Sequence, residues 1–216
     1  MSKPAEQDYQ PPPDCPLCPR LAEFRRRNRT CFPEFFNNPV PSFGSLDARL
    51  LIVGLAPGLK GANQTGRPFT GDYAGELLYG ALRRLGLAAG NYRAHADDGL
   101  TLNGVRISNA VRCVPPENKP LPVEINACRT FLLAEIAAMR NLAAILTLGQ
   151  IAHQSVVSAL RLKRKDHAFA HGAQYRAGHL ALIASYHCSR YNTSTGVLTT
   201  AMFESALAAA KTAAGL

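Results

Sequence analysis

The stretch Leu50-Leu-Ile-Val-Gly-Leu-Ala-Pro-Gly58 decides the fold class of this chain. Its first four residues form an apolar run that is typical of a buried β-strand. A second glycine-rich segment, Thr65-Gly-Arg-Pro-Phe-Thr-Gly-Asp72, precedes a helix pattern that begins at Ala74. A glycine- and proline-rich loop between a strand and a helix is where α/β proteins build active sites. Neither common phosphate-binding glycine motif is present, so a binding loop and a purely structural connection both stay open.

Further along the chain, apolar runs alternate with helical patterns. We predict four strands, each followed by a helix: strand 49–55 by helix 73–86, strand 104–109 by helix 122–139, strand 143–148 by helix 150–160, and strand 179–184 by helix 198–213. Four such units predict an α/β fold of three α/β/α layers around a central, mostly parallel four-stranded sheet. The site is then expected beyond the carboxyl ends of the strands. We also predict a disordered Pro-rich tail at 1–14 and a single domain at 15–216.

The cysteines indicate a metal centre. Cys15 and Cys18 form a C-x2-C pair, and Cys113 and Cys128 flank a Pro-rich loop. Four thiolates suit either structural zinc or an Fe–S cluster. Zinc ribbons prefer two C-x2-C pairs, whereas fourteen residues separate the second pair here, which favours an Fe–S cluster. The two remaining thiols, either of which could replace one of the four, are Cys31 and Cys188.

Polar side chains follow two of the predicted strands. Asn109 ends the strand at 104–109, and His187 follows the strand at 179–184. An asparagine carries a donor and an acceptor on one planar group, which suits recognition of a nucleobase edge. The residues after His187 include Arg190 and Tyr191, whose side chains suit contacts with phosphates or bases. Each feature alone is common in turns, so their combination carries the interpretation.

Together these segments resemble the uracil-DNA glycosylase superfamily, and within it the Fe–S-containing type-b (family 5) branch. The resemblance rests on Gly54–Gly58, Thr65–Asp72, Ser108–Cys113, the four cysteines and His187–Gly196. The sister family 4 carries Glu where this chain has Leu55, and family 1 has an Asp in that motif and no cluster cysteines. One position departs from the family pattern, because Cys188 stands where the motif His-Pro-Ser has its proline.

The resemblance implies a DNA-repair glycosylase that flips uracil, and other deaminated bases such as hypoxanthine, out of DNA and hydrolyses the N-glycosidic bond. Three side chains would act in catalysis. Asn109 would read the O4/N3 edge of the base, and His187 would donate a hydrogen bond to the charge developing on O2. Asp72 would position or deprotonate the attacking water. Asp72 also stands where a helix N-cap is expected, and the two roles are compatible.

The implied substrate pocket would include Gly54 and Ala56, with the ring of Phe69 stacked on the base. Asn109 and His187 would complete it. Free uracil and an abasic site in the DNA would be the products. The pair Arg190 and Tyr191 would contact DNA, either as a wedge that fills the gap left by the flipped nucleotide or as a phosphate-contacting turn.

The implied cofactor is a structural [4Fe–4S] cluster bound by Cys15, Cys18, Cys113 and Cys128. Such a cluster would tie the N-terminal segment to the 113–128 loop. It would carry no electrons, because hydrolysis of a glycosidic bond needs none.

Charge and composition agree with a DNA substrate. The net charge is +9, and basic residues crowd positions 20–29 and 161–165. Such runs are commonly solvated surface, but beside this resemblance we interpret them as phosphate contacts. The sequence has no apolar run of 18 residues and no signal-peptide pattern, so we expect a cytoplasmic monomer with no membrane partner.

Two other function classes stay open. A non-catalytic Fe–S or zinc DNA-binding module could recognise damaged DNA, but it would not need Asp72 and His187 in one pocket. A hydrolase of free nucleosides would not need two basic runs.

Overall fold

The computed structural model describes residues 9–216. Its strands are β1 Leu50–Gly54, β2 Ala88–Ala89, β3 Thr101–Leu102, β4 Val105–Asn109, β5 Ala144–Leu148, β6 Gln174–Ala177 and β7 Leu180–Ser185. Its α-helices are α1 Pro19–Cys31, α2 Ala62–Thr65, α3 Tyr73–Arg84, α4 Pro122–Ala138, α5 Gln150–Ala159, α6 Arg190–Ser194 and α7 Thr200–Ala214. Among these residues, no helix is both long and apolar enough to cross a bilayer.

The main sheet has five strands in the order β4-β1-β5-β7-β6. The first four run parallel and are buried along their whole length, as the apolar runs predicted. The predicted strand number of four was wrong, because β6 adds an antiparallel fifth strand at the edge beside β7. Side chains of β6 alternate between exposed and half-buried, so this edge strand has no apolar run.

Helices cover both faces of the sheet and confirm the three-layer α/β/α prediction. Alternate residues of β1 point to opposite faces, as in any strand. Leu50 and Ile52 pack in the core formed with α3 and α7. Leu51 and Val53 pack in the second core, formed with α4 and α5. The sheet is therefore closed to water on both faces, and polar chemistry is confined to its rim.

A buried polar network joins β4 to α4. Glu135 accepts hydrogen bonds from Arg106 Nε at 2.6 Å, Arg112 Nη2 at 2.6 Å and Ser108 Oγ at 2.7 Å. Both guanidinium groups and the carboxylate are buried, so each depends on the others for charge compensation. The network fixes the segment that leads from β4 to Cys113.

Of the predicted disordered tail at 1–14, residues 1–8 lie outside the described residues. From residue 9 onward the chain contacts the rest of the protein. The guanidinium of Arg106 lies 5.4 Å from the centroid of the Tyr9 ring. Asp14 pairs with Arg29 at 2.7 Å. The ordered chain thus begins before residue 15, and the division into a tail and one domain stays a prediction.

Candidate active site

A cleft of about 530 Å³ opens beyond the carboxyl ends of the parallel strands. Its wall includes the ends of β1 and β4, the start of α3, and the turn after β7. The lining residues are Leu55, Ala56, Gly58, Ala62, Phe69, Asp72, Tyr73, Ala74, Asn109, Asn118, His187, Ser189 and Arg190. Six of the residues predicted from sequence meet here, namely Ala56, Phe69, Asp72, Asn109, His187 and Arg190.

Two predicted residues lie outside this wall. Gly54 lies directly beneath it, where a Cβ would come within 2.5 Å of both Asn109 Oδ1 and Phe69 Cζ. Only a glycine leaves room there for the amide and the ring together. Tyr191 does not line the cleft and is 73% exposed, so it is free to contact something outside the protein.

The two carboxylate oxygens of Asp72 have different surroundings. Its Oδ1 accepts the backbone N–H of Gly75 at 2.9 Å and so caps α3. Its Oδ2 lies towards Gly58 and Gly61, where added Cβ atoms would stand 3.8 and 3.0 Å from it. Burial raises the pKa of Asp72, an effect that its hydrogen bond to Gly75 partly opposes. One oxygen thus holds the helix while the carboxyl group still faces the cleft.

His187 lies across the cleft beside Phe69. The two ring centroids are 6.0 Å apart with an angle of 27° between the planes. Burial lowers the pKa of His187 to about 4, so the imidazole is neutral at pH 7 and can donate one hydrogen bond. The carbonyl of His187 accepts a hydrogen bond from Asn192 Nδ2 at 2.9 Å. Cys188, in the place of the family's proline, is fully buried and its thiol contacts the Ala74 carbonyl at 3.6 Å.

Phe69 has a strained backbone, with φ at +54°. The neighbouring Arg67 holds this loop through two parallel hydrogen bonds to Asp98, at 2.8 and 2.7 Å. Tyr79 adds a hydrogen bond from its hydroxyl to the Pro68 carbonyl at 2.7 Å. The guanidinium of Arg67 also lies over three aromatic rings, those of Phe43, Tyr79 and Tyr92. These buried contacts compensate the strain and fix the ring at the cleft.

Asn109 and Asn118 supply the amide groups of the cleft. Asn109 is 3% exposed, and no group within residues 9–216 is hydrogen-bonded to its side-chain amide, which leaves it available to a ligand. Sequence reasoning missed Asn118, which lies on the Pro-rich loop before α4. Its φ of +57°, after +55° at Glu117, places its amide in the wall. A Cβ on Gly58 would lie 3.8 Å from Asp72 Oδ2 and 4.0 Å from Asn118 Oδ1, so the two side chains flank the same glycine.

Comparison with known proteins agrees with this arrangement. The model of the uracil DNA glycosylase superfamily matches residues 41–211. The chain belongs to this superfamily. The Type-5 uracil-DNA glycosylase of Thermus thermophilus is 44% identical over 208 residues, with 94% of each chain covered. The Type-5 uracil-DNA glycosylase of Mycobacterium leprae is 43% identical, and the match covers 94% of this chain and 92% of the relative. The Type-5 uracil-DNA glycosylase of Pyrobaculum aerophilum is 39% identical, and the match covers 86% of this chain and 83% of the relative.

These relatives confirm the resemblance that the sequence motifs indicated. All three carry the type-5 name, which agrees with the apolar Leu55-Ala56 pair in the first motif. Both residues line the cleft, so no acid stands at that point of this superfamily member's site. The residue roles predicted above for the cleft stay predictions.

The four predicted metal ligands lie around one cavity. Cys15, Cys18, Cys113 and Cys128 line one small cavity between α1, α4 and the segment after β4. Arg25 Nη1 donates to Cys113 Sγ at 3.4 Å, and the backbone N–H of Arg112 donates to Cys128 Sγ at 3.3 Å. The two cysteines outside this cavity are Cys31, exposed at the end of α1, and Cys188, in the main core.

The thiols that line this cavity are largely buried. Across the described part of the chain, no three His, Cys, Asp or Glu side chains converge closely enough to hold a single metal ion. Burial raises the pKa of Cys113 to about 12 and that of Cys18 to about 11. Both thiols are therefore protonated at neutral pH in the absence of a metal. Four thiols line the shared cavity, with two N–H donors nearby, and their role as cluster ligands stays a prediction.

The arginines of α1 act mainly within the protein. Arg20 pairs with Glu124 at 2.8 Å, Arg25 is buried beside Cys113, and Arg29 pairs with Asp14. Arg26 pairs with Glu23 on the same helix. Burial excludes Arg25 from phosphate contact. The interpretation of the rest of the run as phosphate contacts stays a prediction, because Arg20, Arg26 and Arg29 are exposed in their ion pairs. Of the run, only Arg27 is left without a partner among the described residues.

The second basic run lies away from the cleft. It follows α5, which begins at the carboxyl end of β5 and leads to the opposite end of the sheet. Arg164 Nη2 donates to Ser158 Oγ near the end of that helix at 3.2 Å. The run therefore stays a candidate for long-range attraction of DNA and not for contacts beside the reacting base.

Proposed function

We infer that this protein is a type-5 uracil-DNA glycosylase. It hydrolyses the N-glycosidic bond of uracil in DNA, which releases free uracil and leaves an abasic site in the strand. One observation carries the inference: Asp72, Asn109, Phe69 and His187 meet in one cleft at the sheet rim. Type-5 relatives at up to 44% identity over 94% of the chain support it. A module that only binds DNA has no use for a carboxylate and a neutral imidazole around one pocket.

Base recognition falls to Phe69 and Asn109. A flipped uracil stacks on the Phe69 ring, a type of contact worth about 1–3 kcal/mol. The unpartnered amide of Asn109 pairs with O4 and N3 of uracil. Cytosine presents the reverse donor pattern there and leaves buried polar groups unpaired, which is costly.

Bond cleavage falls to His187 and Asp72. As the C1′–N1 bond breaks, its electron pair moves onto the uracil and is delocalised to O2. The neutral imidazole of His187 donates a hydrogen bond to that oxygen, a contribution of about 3–4 kcal/mol. Asp72 stabilises the cationic sugar and accepts the proton of the water that adds to C1′, which contributes about 100- to 10,000-fold in rate.

The inferred activity is tested by incubating the protein with a duplex that contains one uracil and then cleaving abasic sites with alkali. The expected result is a strand break at the uracil and none in the matched thymine duplex. Deoxyuridine as a free nucleoside should not be hydrolysed. Absence of the break at low and moderate salt would overturn the inference. Breakdown of deoxyuridine at a comparable rate would indicate a nucleoside hydrolase.

We propose that a [4Fe–4S] cluster is held by Cys15, Cys18, Cys113 and Cys128. Its contribution is structural, because it cross-links α1 to the segment between β4 and α4. Cys113→Ser should lower both bound iron and soluble yield, since the cluster joins distant parts of the chain. Cys31→Ser is the matched control and should change neither. Loss of iron in Cys31→Ser but not in Cys113→Ser would refute the ligand set.

Three finer properties complete the proposal. The protein is cytoplasmic and acts as a monomer. Light scattering in solution tests the monomeric state. It accepts hypoxanthine as well as uracil, which the same alkaline assay tests with a hypoxanthine-containing duplex. Tyr191 fills the gap left by the flipped nucleotide, because it is the exposed aromatic side chain beside the cleft.

A further inference from the structure

Two helix starts meet at the mouth of the cleft. Tyr73 is the first residue of α3, and Arg190 is the first residue of α6. Both side chains line the cleft. The guanidinium carbon of Arg190 lies 5.5 Å from the centroid of the Tyr73 ring. We call these two residues the mouth pair.

Arg190 differs from three other arginines near the cleft and the cysteine cavity. Arg67, Arg112 and Arg20 each hold a carboxylate. None of the ion pairs within residues 9–216 includes Arg190. An aromatic ring attracts a guanidinium through its face and leaves the N–H donors on its edge free. Tyr73 therefore orients Arg190 without using up its hydrogen-bonding capacity.

An oriented guanidinium with free edge donors suits bidentate binding of an anion. The anion that reaches this place when a base enters the cleft is a backbone phosphate of the same strand. On the basis of the proposed function, we propose that the mouth pair is a phosphate clamp. Arg190 binds a phosphodiester next to the flipped nucleotide, and Tyr73 is the positioning residue that holds the guanidinium in place.

This assignment separates two neighbouring residues that sequence reasoning treated together. Arg190 is held against α3 and lines the cleft, whereas Tyr191 is exposed and lies outside its wall. The clamp therefore belongs to Arg190, and the wedge belongs to Tyr191. A clamp acts on single-stranded and duplex DNA alike, whereas a wedge matters only where a stacked partner has to be replaced.

Salt dependence of DNA binding tests the clamp without relying on catalysis. The probe is a duplex with a tetrahydrofuran abasic-site analogue, which offers no base to excise. Arg190→Ala should reduce the slope of log K against log[salt] by about 1, the loss of one phosphate contact. Tyr73→Leu should reduce it nearly as much, although no charge is removed. Tyr73→Phe should restore the slope, because the ring face is kept.

Two comparisons guard against a general charge or folding effect. Arg83→Ala removes an exposed arginine from α3 outside the cleft and should leave the slope within error. The double variant Tyr73→Leu with Arg190→Ala should lose no more than Arg190→Ala alone, because both changes remove one contact. Should Tyr73→Leu fail to fold, Tyr73→Gln provides the same test.

Uracil excision supplies a second readout. Tyr73→Leu should raise the enzyme concentration that gives half-maximal rate by nearly the same factor as Arg190→Ala. A wild-type slope in Tyr73→Leu, beside a reduced slope in Arg190→Ala, would overturn the positioning role. A wild-type slope in both would overturn the clamp. Absence of uracil excision by the wild-type protein would instead overturn the proposed function, and the binding series would still decide the clamp.

Discussion

Replacing Gly54 by alanine is the sharpest test of the cleft, because a side chain at this position would meet both Asn109 and Phe69, the two residues proposed to bind the base. The Gly54 backbone is not in the left-handed region, so alanine meets no conformational strain. Its Cβ would stand 2.5 Å from Asn109 Oδ1 and from Phe69 Cζ. Both neighbours are themselves buried, so neither can move freely.

The size of the effect follows from those distances. Ordinary contact begins at 3.4 Å, and 3.4 minus 2.5 leaves 0.9 Å by which the amide or the ring has to move. A displacement of about 1 Å in a substrate-positioning group can cost about 100-fold in rate. Overpacking of this kind also lowers the free energy of unfolding by about 1–3 kcal/mol. We therefore expect Gly54→Ala to fold and to excise uracil about 100-fold more slowly.

The assay is single-turnover excision of uracil at saturating enzyme, with urea unfolding measured on the same sample. Gly80→Ala is the matched control, since its Cβ would meet only the flexible end of Arg84 at 3.3 Å. That change should keep activity and stabilise α3 by about 0.5–1 kcal/mol. A folded Gly54→Ala variant with activity close to that of the wild type would refute the view that Asn109 and Phe69 shape the base pocket.

Three further outcomes follow from the site and its support. Asp72→Ser keeps a helix cap but no catalytic base, so the rate of uracil excision should fall about 100- to 10,000-fold at a nearly unchanged melting temperature. Asp72→Ala should lose about 1 kcal/mol of stability as well. Equal melting temperatures of the two variants would contradict the cap. Glu135→Leu leaves Arg106 and Arg112 buried without a counter-charge and should cost about 3–5 kcal/mol in urea unfolding, whereas a loss below 1 kcal/mol would contradict the network. The single-turnover rate should rise with pH through the pKa of Asp72, which burial raises above 3.8, because the base acts deprotonated. His187, neutral above a pKa of about 4, should add no inflection near 6.5, and an inflection there that disappears in His187→Gln would refute its neutral role.

The sequence predicted the parallel strands because each is a continuous apolar run buried on both faces. It could not predict β6, whose residues Gln174–Ala177 alternate between exposed and half-buried and pair with β7 at the edge of the sheet. The short helix α6 was also missed, since five residues give no helical period. Its one local sign is the cap, in which Ser189 Oγ accepts the Asn192 N–H at 3.3 Å.

The cleft residues were predictable where a motif carried them, as with Asp72 and His187. Asn118 was not, because its position depends on two consecutive left-handed residues in a Pro-rich loop. Arg25 of α1 was misinterpreted for a different reason. Its partner Cys113 lies far away in the chain, and a run of charge does not reveal which member folds into the interior.

With Asp72 in its proposed role as the catalytic base, the cap at the start of α3 ties catalysis to the local stability of one helical turn. The hydrogen bond between Asp72 Oδ1 and the Gly75 N–H exists only while that first turn is formed. The Asp72 side chain therefore loses no rotamer entropy when DNA binds, because helix formation has already fixed its conformation. Fraying of the turn would release the base while the sheet beneath it stays intact. Hydrogen exchange at the Gly75 amide then measures the fraction of molecules that are competent to react.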